Sequence, residues 1–195
     1  MKKLLITGFD PFGGESINPA WEAVTRLPDE VGDYSLTKLM IPTVFGKAGN
    51  VVIAEAERLM PDVILCIGQA GGRRAVTPEV VGINLREARI PDNEGNVPED
   101  IPVVNDAPAA YFSTLPIREM VSAVKEKGIE CQLSYSAGAF VCNDVLYTLL
   151  NRYDGTDTRV GFIHVPFLPE QAKEGVPSMA LETIIEAIKT AIEAM

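Results

Sequence analysis

The chain has 195 residues, 47% of them hydrophobic, which predicts one well-filled domain over residues 1–195. Its formal net charge of −10 at pH 7 disfavours nucleic acid and anionic membranes as partners. Three cysteines without metal-ligand spacing, a single histidine and no long apolar run predict a cytoplasmic protein without a disulfide framework, zinc site, secretory leader or membrane span.

The first third of the chain alternates strand patterns with helix patterns. The third predicted strand is an unbroken apolar run, which is typical of a strand covered on both faces of a parallel sheet. Each helix has an amphipathic pattern and ends before a proline. The predicted strands are 4–9, 34–41 and 63–67, and the predicted helices run from the cap Asn18 to Pro28 and from Ala48 to Pro61.

A glycine-rich loop, GQAGGRR, follows from Gly68 to Arg74. Three glycines in five positions allow backbone N–H groups to approach a ligand closely, and phosphate is the obvious candidate. The loop has neither a Gly-Lys-Ser/Thr ending nor the G-x-G-x-x-G spacing of the standard phosphate motifs. A plain turn is therefore an equally good interpretation.

The rest of the chain continues the alternation around one long polar loop, Pro91–Pro108, of the length expected for a lid, a binding loop or a subunit contact. Strands that alternate with helices predict an α/β three-layer sandwich with a mostly parallel, twisted central sheet and a site at the C-terminal ends of the strands. The predicted strands are Glu79–Leu85, Ile129–Tyr135 and Arg159–Val165, and the helices run between Pro116 and Gly128, after Cys142, and from about Met179.

The stretch Ser134–Leu150 changes from a strand pattern to a helix pattern just before Cys142. Ala137 and Gly138 supply a tight turn there. A cysteine in the first turn of a helix lies near free N–H groups and the positive end of the dipole, which favour a thiolate nucleophile. The alternative is that Cys142 is simply a small buried hydrophobic residue.

His164 is the only histidine, and it lies at the end of the strand Arg159–Val165, on the same edge of the sheet as Cys142. A cysteine–histidine pair needs a third group to orient the imidazole, and Glu79 is the candidate. A core histidine bonded to a backbone carbonyl and a solvated surface glutamate remain the alternatives.

Four sequence blocks together resemble the type I pyroglutamyl peptidases, also called pyrrolidone-carboxylate peptidases. They are TGFDPFGGESINPAWE from Thr7, GQAGGRRAVTPEVVGINLREARIPDNEGN from Gly68, SYSAGAFVCN from Ser134 and GFIHVPFLPEQ from Gly161. The resemblance implies a phosphorylase/hydrolase-like α/β fold, Cys142 as nucleophile, His164 as base and Glu79 as orienting acid. It implies a substrate pocket and oxyanion site that contain Phe9, Phe12, Asn18, Thr43, Gln69, Arg89, Ile90, Phe140 and Val141.

The implied activity is that of a cysteine exopeptidase, which hydrolyses the amide bond after an N-terminal pyroglutamyl residue of a peptide through an acyl-enzyme. It needs no metal or cofactor, and an imidazolium–thiolate pair is expected in the resting enzyme. Two alternatives are a nucleoside-phosphorylase-like enzyme and an inactive pyroglutamate-binding protein. The resemblance also implies a homo-oligomer, commonly a tetramer, and Ile101, Val103 and Val104 in the long loop are candidates for burial against a neighbouring subunit.

Overall fold

The computed structural model describes residues 1–195 and contains eight strands and five helices. The helices begin and end close to the predicted positions, and Asn18 caps the first of them through its side chain. The strands are β1 Lys2–Phe9, β2 Glu30–Val31, β3 Tyr34–Ile41, β4 Val63–Gln69, β5 Thr77–Pro78, β6 Val81–Ile83, β7 Ala110–Phe112 and β8 Arg159–Val165. The helices are α1 Pro19–Arg26, α2 Lys47–Leu59, α3 Ile117–Glu126, α4 Val141–Arg152 and α5 Leu181–Glu193.

The central sheet has six strands in the order β2-β3-β1-β4-β8-β5. β3, β1, β4 and β8 are parallel to one another, and the two-residue strands β2 and β5 run antiparallel at the edges. The carboxyl ends of four strands therefore meet at one edge of the sheet, where α/β folds place their sites.

Helices cover both faces of this sheet, which confirms the predicted α/β sandwich. Side chains alternate along each strand, so Val63, Leu65 and Ile67 of β4 pack into the cluster that contains α1, α3 and α5. Ile64 and Cys66 of the same strand pack into the other cluster, with α2 and α4. A strand buried on both faces has to be apolar throughout, which explains its continuous apolar sequence.

The predicted strand Ile129–Tyr135 is present only as isolated bridges, Val76 with Cys131 and Glu79 with Ser134. Backbone bonds join this segment to residues 76, 78 and 80 at 2.7–3.0 Å. The ladder misses the bond that residue 78 would donate, because Pro78 has no N–H. One proline thus reduces a parallel strand pair to single bridges, and the prediction of a regular strand is wrong.

The regular strand within the predicted strand Glu79–Leu85 is shorter than predicted. It consists only of β6, which pairs with β7 in a separate two-stranded sheet.

The loop from Pro91 to Pro108 folds back on its own chain. The buried carboxylate of Asp92 accepts the backbone N–H of Phe45 at 3.0 Å, and the side chain of Asn84 donates to the carbonyl of Val104 at 2.8 Å.

Val103 is also buried within the chain, so the expectation that a neighbouring subunit covers it is wrong. Ile101 and Val97 of the same loop are exposed. Among the five helices, none combines the length and the apolar character that crossing a membrane requires.

Candidate active site

Cys142 is the second residue of α4, as the sequence predicts. Gly138, with φ of +78°, makes the turn before the helix, and Phe140 takes the cap position in extended conformation. The helix has no side-chain cap. The first N–H groups of a helix have no partner within the helix, so those of α4 are available near the sulfur.

The Cys142 sulfur lies against the end of β4, the strand that pairs with the strand of His164. A Cβ atom on Gly68 would lie 3.0 Å from the Cys142 Sγ and 2.6 Å from the Phe162 ring, so only glycine leaves room there. Gly68 is the register partner of His164 in the neighbouring parallel strand. Register partners in neighbouring strands point to the same face of the sheet, so the sulfur and the imidazole both lie on the face covered by α4.

His164 and Glu79 are in direct contact. The His164 Nδ1 is 2.7 Å from the Glu79 Oε1, and both side chains are buried, with Glu79 completely shielded from solvent. The ring of Phe162 packs against the imidazole with centroids 4.8 Å apart. The predicted pairing of these two residues, 85 positions apart, is therefore present in the structure.

Burial would raise the pKa of Glu79, but hydrogen bonds and charge from His164, Ser134 and Arg73 outweigh it and hold that pKa below its usual value. Burial lowers the pKa of His164. Burial, and then the negative charge of Glu79, raise the pKa of the Cys142 thiol to about 12. These directions favour a neutral thiol beside a neutral imidazole, so the structure does not support the imidazolium–thiolate pair expected from the sequence.

A cavity of about 490 Å³ opens at the turn that leads into α4. Arg89 and Ile90 lie on one side of it, and the turn Gly138–Phe140 lies on the other. The Phe140 ring also packs against Phe12, with centroids 6.1 Å apart. Four of the residues predicted for the substrate pocket are thus brought together.

The other predicted pocket residues do not line this cavity, and each of them packs or bonds within the fold. Phe9 and Val141 are buried in the core beneath the site. The Asn18 side chain accepts from the Ala20 N–H at 3.1 Å and donates to the Asp10 carbonyl at 3.0 Å. Thr43 bonds Asp10 through both its N–H and its hydroxyl, and Gln69 accepts from the Gln171 amide at 3.0 Å.

Sequence analysis missed the side chains that hold the first turn of α4 in place. The Asn143 amide bonds the backbone of Ile83 in both directions at 2.9 Å and donates to the carbonyl of Leu85. The buried Asp144 carboxylate accepts from the Arg86 Nε and from the Gly46 N–H. Two polar residues inside an otherwise apolar helix pattern were the available signal.

Sequence analysis also missed Phe45, whose ring meets Phe140 edge-on at 5.1 Å and completes an aromatic cluster with Phe12.

The role of Arg73 in the glycine-rich loop was not predicted either. The Arg73 Nη1 donates to the Glu79 Oε1 at 2.8 Å. In this loop Gly68 makes room for the sulfur, and Gly71 makes room for the ring of Phe167, which a Cβ would approach to 2.2 Å.

Comparisons with known proteins show which family the chain resembles. A family model described as pyroglutamyl peptidase matches residues 2–195. A pyrrolidone-carboxylate peptidase of Bacillus thuringiensis is 52% identical over 99% of this chain and 92% of its own length.

Solved structures of two similar proteins cover the whole of this chain. The crystal structure of Bacillus amyloliquefaciens pyroglutamyl peptidase I is 47% identical in sequence and has a TM-score of 0.96, and the match covers 96% of that chain. The pyrrolidone carboxyl peptidase from Thermococcus litoralis is 36% identical in sequence and has a TM-score of 0.94, and the match covers 93% of that chain. The matched family model, the identity and the shared fold extend over essentially the entire sequence, and the chain belongs to the pyroglutamyl peptidase family.

Proposed function

We propose that this protein is a cysteine peptidase that hydrolyses the amide bond after an N-terminal pyroglutamyl residue, with Cys142, His164 and Glu79 as its triad. The observation that carries the proposal is the 2.7 Å contact between the His164 Nδ1 and the ionised Glu79 carboxylate. A carboxylate only accepts hydrogen bonds, so Nδ1 carries the ring proton. The other ring nitrogen, Nε2, is then free to accept the proton of a thiol.

The reaction follows from this arrangement. His164 removes the Cys142 proton while the sulfur attacks the carbonyl carbon, and a tetrahedral oxyanion forms. The imidazolium then gives the proton to the leaving amine, the C–N bond breaks, and a thioester remains on Cys142. His164 next removes a proton from water, hydroxide attacks the thioester, and the returning proton restores the thiol and releases pyroglutamate.

The start of α4 supports stabilisation of the oxyanion. The Cys142 N–H lies in the first turn, where backbone donors and the helix dipole favour negative charge. The Arg89 side chain lines the same cavity and is exposed, which makes it a candidate second donor.

The aromatic cluster supports recognition of the pyroglutamyl ring. A pyroglutamyl group is a neutral five-membered lactam, which fits an apolar pocket with a few polar partners better than a charged one. The rings of Phe12, Phe45 and Phe140 form such a wall next to Cys142.

An assay of a chromogenic pyroglutamyl amide tests the proposal. We expect Cys142→Ala and Cys142→Ser to lower kcat by at least about 10⁴-fold while the protein stays folded, as loss of a nucleophile does. Stoichiometric iodoacetamide should abolish turnover and label Cys142, which is half-buried.

Cys66→Ala and Cys131→Ala are the matched controls. Both cysteines are buried, whereas Cys142 is only half-buried, so the reagent should not reach either of them. We expect both variants to retain activity. Turnover that survives alkylation of Cys142 would contradict the proposed mechanism.

The same assay separates the two alternative functions. A phosphorylase would require inorganic phosphate and would be indifferent to alkylation of Cys142. An inactive binding protein would bind pyroglutamate and release no product. The family comparison and the Glu79–His164 contact favour the peptidase, and a cytoplasmic location and a tetrameric state stay predictions.

A further inference from the structure

We propose that Arg73 is a positioning residue for catalysis, whose guanidinium keeps the buried Glu79 carboxylate ionised and oriented so that it can hold the ring of His164. This inference rests on the proposed triad. It assigns a role within the glycine-rich loop that the sequence analysis left open.

Arg73 is fixed by several contacts at once. Its Nη1 donates to the Glu79 Oε1 at 2.8 Å and to the Thr77 hydroxyl at 2.6 Å. Its Nη2 donates to the Ser136 carbonyl at 2.9 Å, and the Ser134 hydroxyl lies 3.3 Å from Nη1. A planar guanidinium with five donors suits this arrangement better than a single ammonium would.

Glu79 needs such a partner. Its side chain has no solvent exposure, its Oε1 is shared by His164 and Arg73, and its Oε2 has no hydrogen-bond partner. An ionised carboxylate buried without a compensating charge is strongly disfavoured. With His164 neutral at rest, Arg73 is the only permanently charged cation that contacts Glu79.

The ionisation of Glu79 decides which nitrogen of His164 carries a proton. An ionised Glu79 accepts from Nδ1–H and leaves Nε2 free to act as base. A protonated Glu79 would instead donate to Nδ1, which moves the ring proton to Nε2 and blocks the reaction, and the wrong tautomer of a triad histidine costs about 10⁴ in kcat.

The ionisable groups that face this pair are few. They are Arg73 and Glu79 themselves, His164, Cys142 and, beyond Cys142, Cys66. Both cysteines are neutral near pH 7, because their pKa values are raised to about 12. The charge of Arg73 also lowers the pKa of His164, so its loss would raise the pKa values of both triad partners.

Arg73 does not line the substrate cavity. It borders a separate surface pocket with Thr77 and residues 132–136, whereas the cavity before α4 is lined by Glu87, Arg89, Ile90 and residues 138–140. A change at Arg73 should therefore act on kcat and on its pH dependence, with little effect on KM.

Arg73→Gln tests the inference, with Arg74→Gln as the matched control because Arg74 is exposed and pairs only with the exposed Glu130. For Arg73→Gln we expect kcat at neutral pH to fall roughly tenfold or more and the acid limb of the kcat profile to lie about one pH unit higher. KM should stay within about twofold, and Arg74→Gln should match the wild type.

The nitrogen NMR signals of His164 give a direct readout, because the chain has one histidine. The wild type should show a proton on Nδ1 at neutral pH, and Arg73→Gln should show an increased share on Nε2. An unmoved acid limb together with an unchanged tautomer would overturn the inference, even if kcat falls. If Arg73→Gln does not fold, Arg73→Lys should move the limb less in the same direction, and no movement would overturn the inference.

Glu79→Gln separates failure of this inference from failure of the triad. We expect it to lower kcat roughly 10²-fold or more, and adding Arg73→Gln should cost little further because Arg73 acts through Glu79. An unchanged kcat in Glu79→Gln would contradict the triad itself. A large loss in Glu79→Gln together with a wild-type pH profile in Arg73→Gln would contradict only the role of Arg73.

Discussion

At Cys142, the start of a helix and the burial of the site shift the pKa of the thiol in opposite directions. The first-turn N–H groups and the dipole favour a thiolate. Burial and the charge of Glu79 act the other way and raise the pKa of that thiol to about 12. General-base removal of the proton during attack therefore suits this site better than a preformed ion pair.

This balance predicts a neutral pair in the substrate-free protein. At pH 7 we expect the nitrogen signals of His164 to show a neutral imidazole and the ultraviolet absorbance to show no thiolate, with Cys142→Ala as the baseline. The pKa of His164 is lowered by burial. The active neutral form should thus persist below the ordinary histidine pKa of about 6.5, and kcat/KM should fall only at lower pH.

An imidazolium signal accompanied by thiolate absorbance at pH 7, both lost in Cys142→Ala, would contradict the neutral pair. It would show that the helix start and the neighbouring imidazole outweigh burial. An acid limb of kcat/KM above about 6.5 would likewise contradict the lowered pKa of His164.

At the scale of elements, the first turn of α4 is connected to two other segments. Asn143 bonds the backbone at Ile83 and Leu85, and Asp144 bonds Arg86 and the Gly46 N–H just before α2. The segment that continues to Arg89 and Ile90 also bonds the turn before the helix, through the Glu87 N–H to the Ala139 carbonyl at 2.9 Å. These bonds fix the spacing between Cys142 and one wall of the cavity.

We expect Asp144→Asn to destabilise the protein by about 3 kcal/mol, because it leaves the Arg86 charge without its buried partner. Denaturant unfolding measures this free energy. The control is Glu57→Gln, which removes an exposed ion pair with Arg152 and should cost less than about 1 kcal/mol. Equal costs for the two variants would contradict the structural role of Asp144.

At the scale of the whole molecule, the loop from Pro91 to Pro108 presents two kinds of apolar side chain. Val103 is buried within its own chain, so a charge there would destabilise the folded monomer and would not test the subunit contact. Val97 and Ile101 are about half exposed, at 55% and 45%, next to a pocket lined by Phe45 and Arg86. Apolar side chains at such positions are suited to contact with another subunit.

We expect sedimentation at micromolar concentration to give a species several times the 21.1 kDa of one chain. Val97→Asp combined with Ile101→Asp should shift the protein towards smaller species, because a charge buried at a subunit contact is costly. Met60→Asp, at an exposed apolar residue at the end of α2, is the control. A monomeric wild type would contradict the predicted oligomer. An unchanged oligomer in the double variant would show that the loop is not part of the subunit contact.

The sequence by itself determined the layers of the fold and predicted the residues of the candidate site. The apolar run at 63–67 could only be a strand buried on both faces, and the helices begin and end at caps, prolines and glycines that act locally. Cys142 and His164 could be predicted because a sharp turn before one helix and the end of one strand place their residues at a known edge of the sheet. Glu79 was the candidate for the third group that such a pair needs, and the four family blocks implied the same three residues.

Only the tertiary structure decided which polar side chains support these residues. Local patterns carry no record of partners that lie far apart in the chain, such as Glu79 with His164 or Asp144 with Arg86 and Gly46. Burial is likewise a property of the assembled fold, and it raises the pKa of the Cys142 thiol against the preference of its helix. Arg73 shows the same limit, because a basic residue in a glycine-rich loop acquires its role only when a buried carboxylate lies beside it.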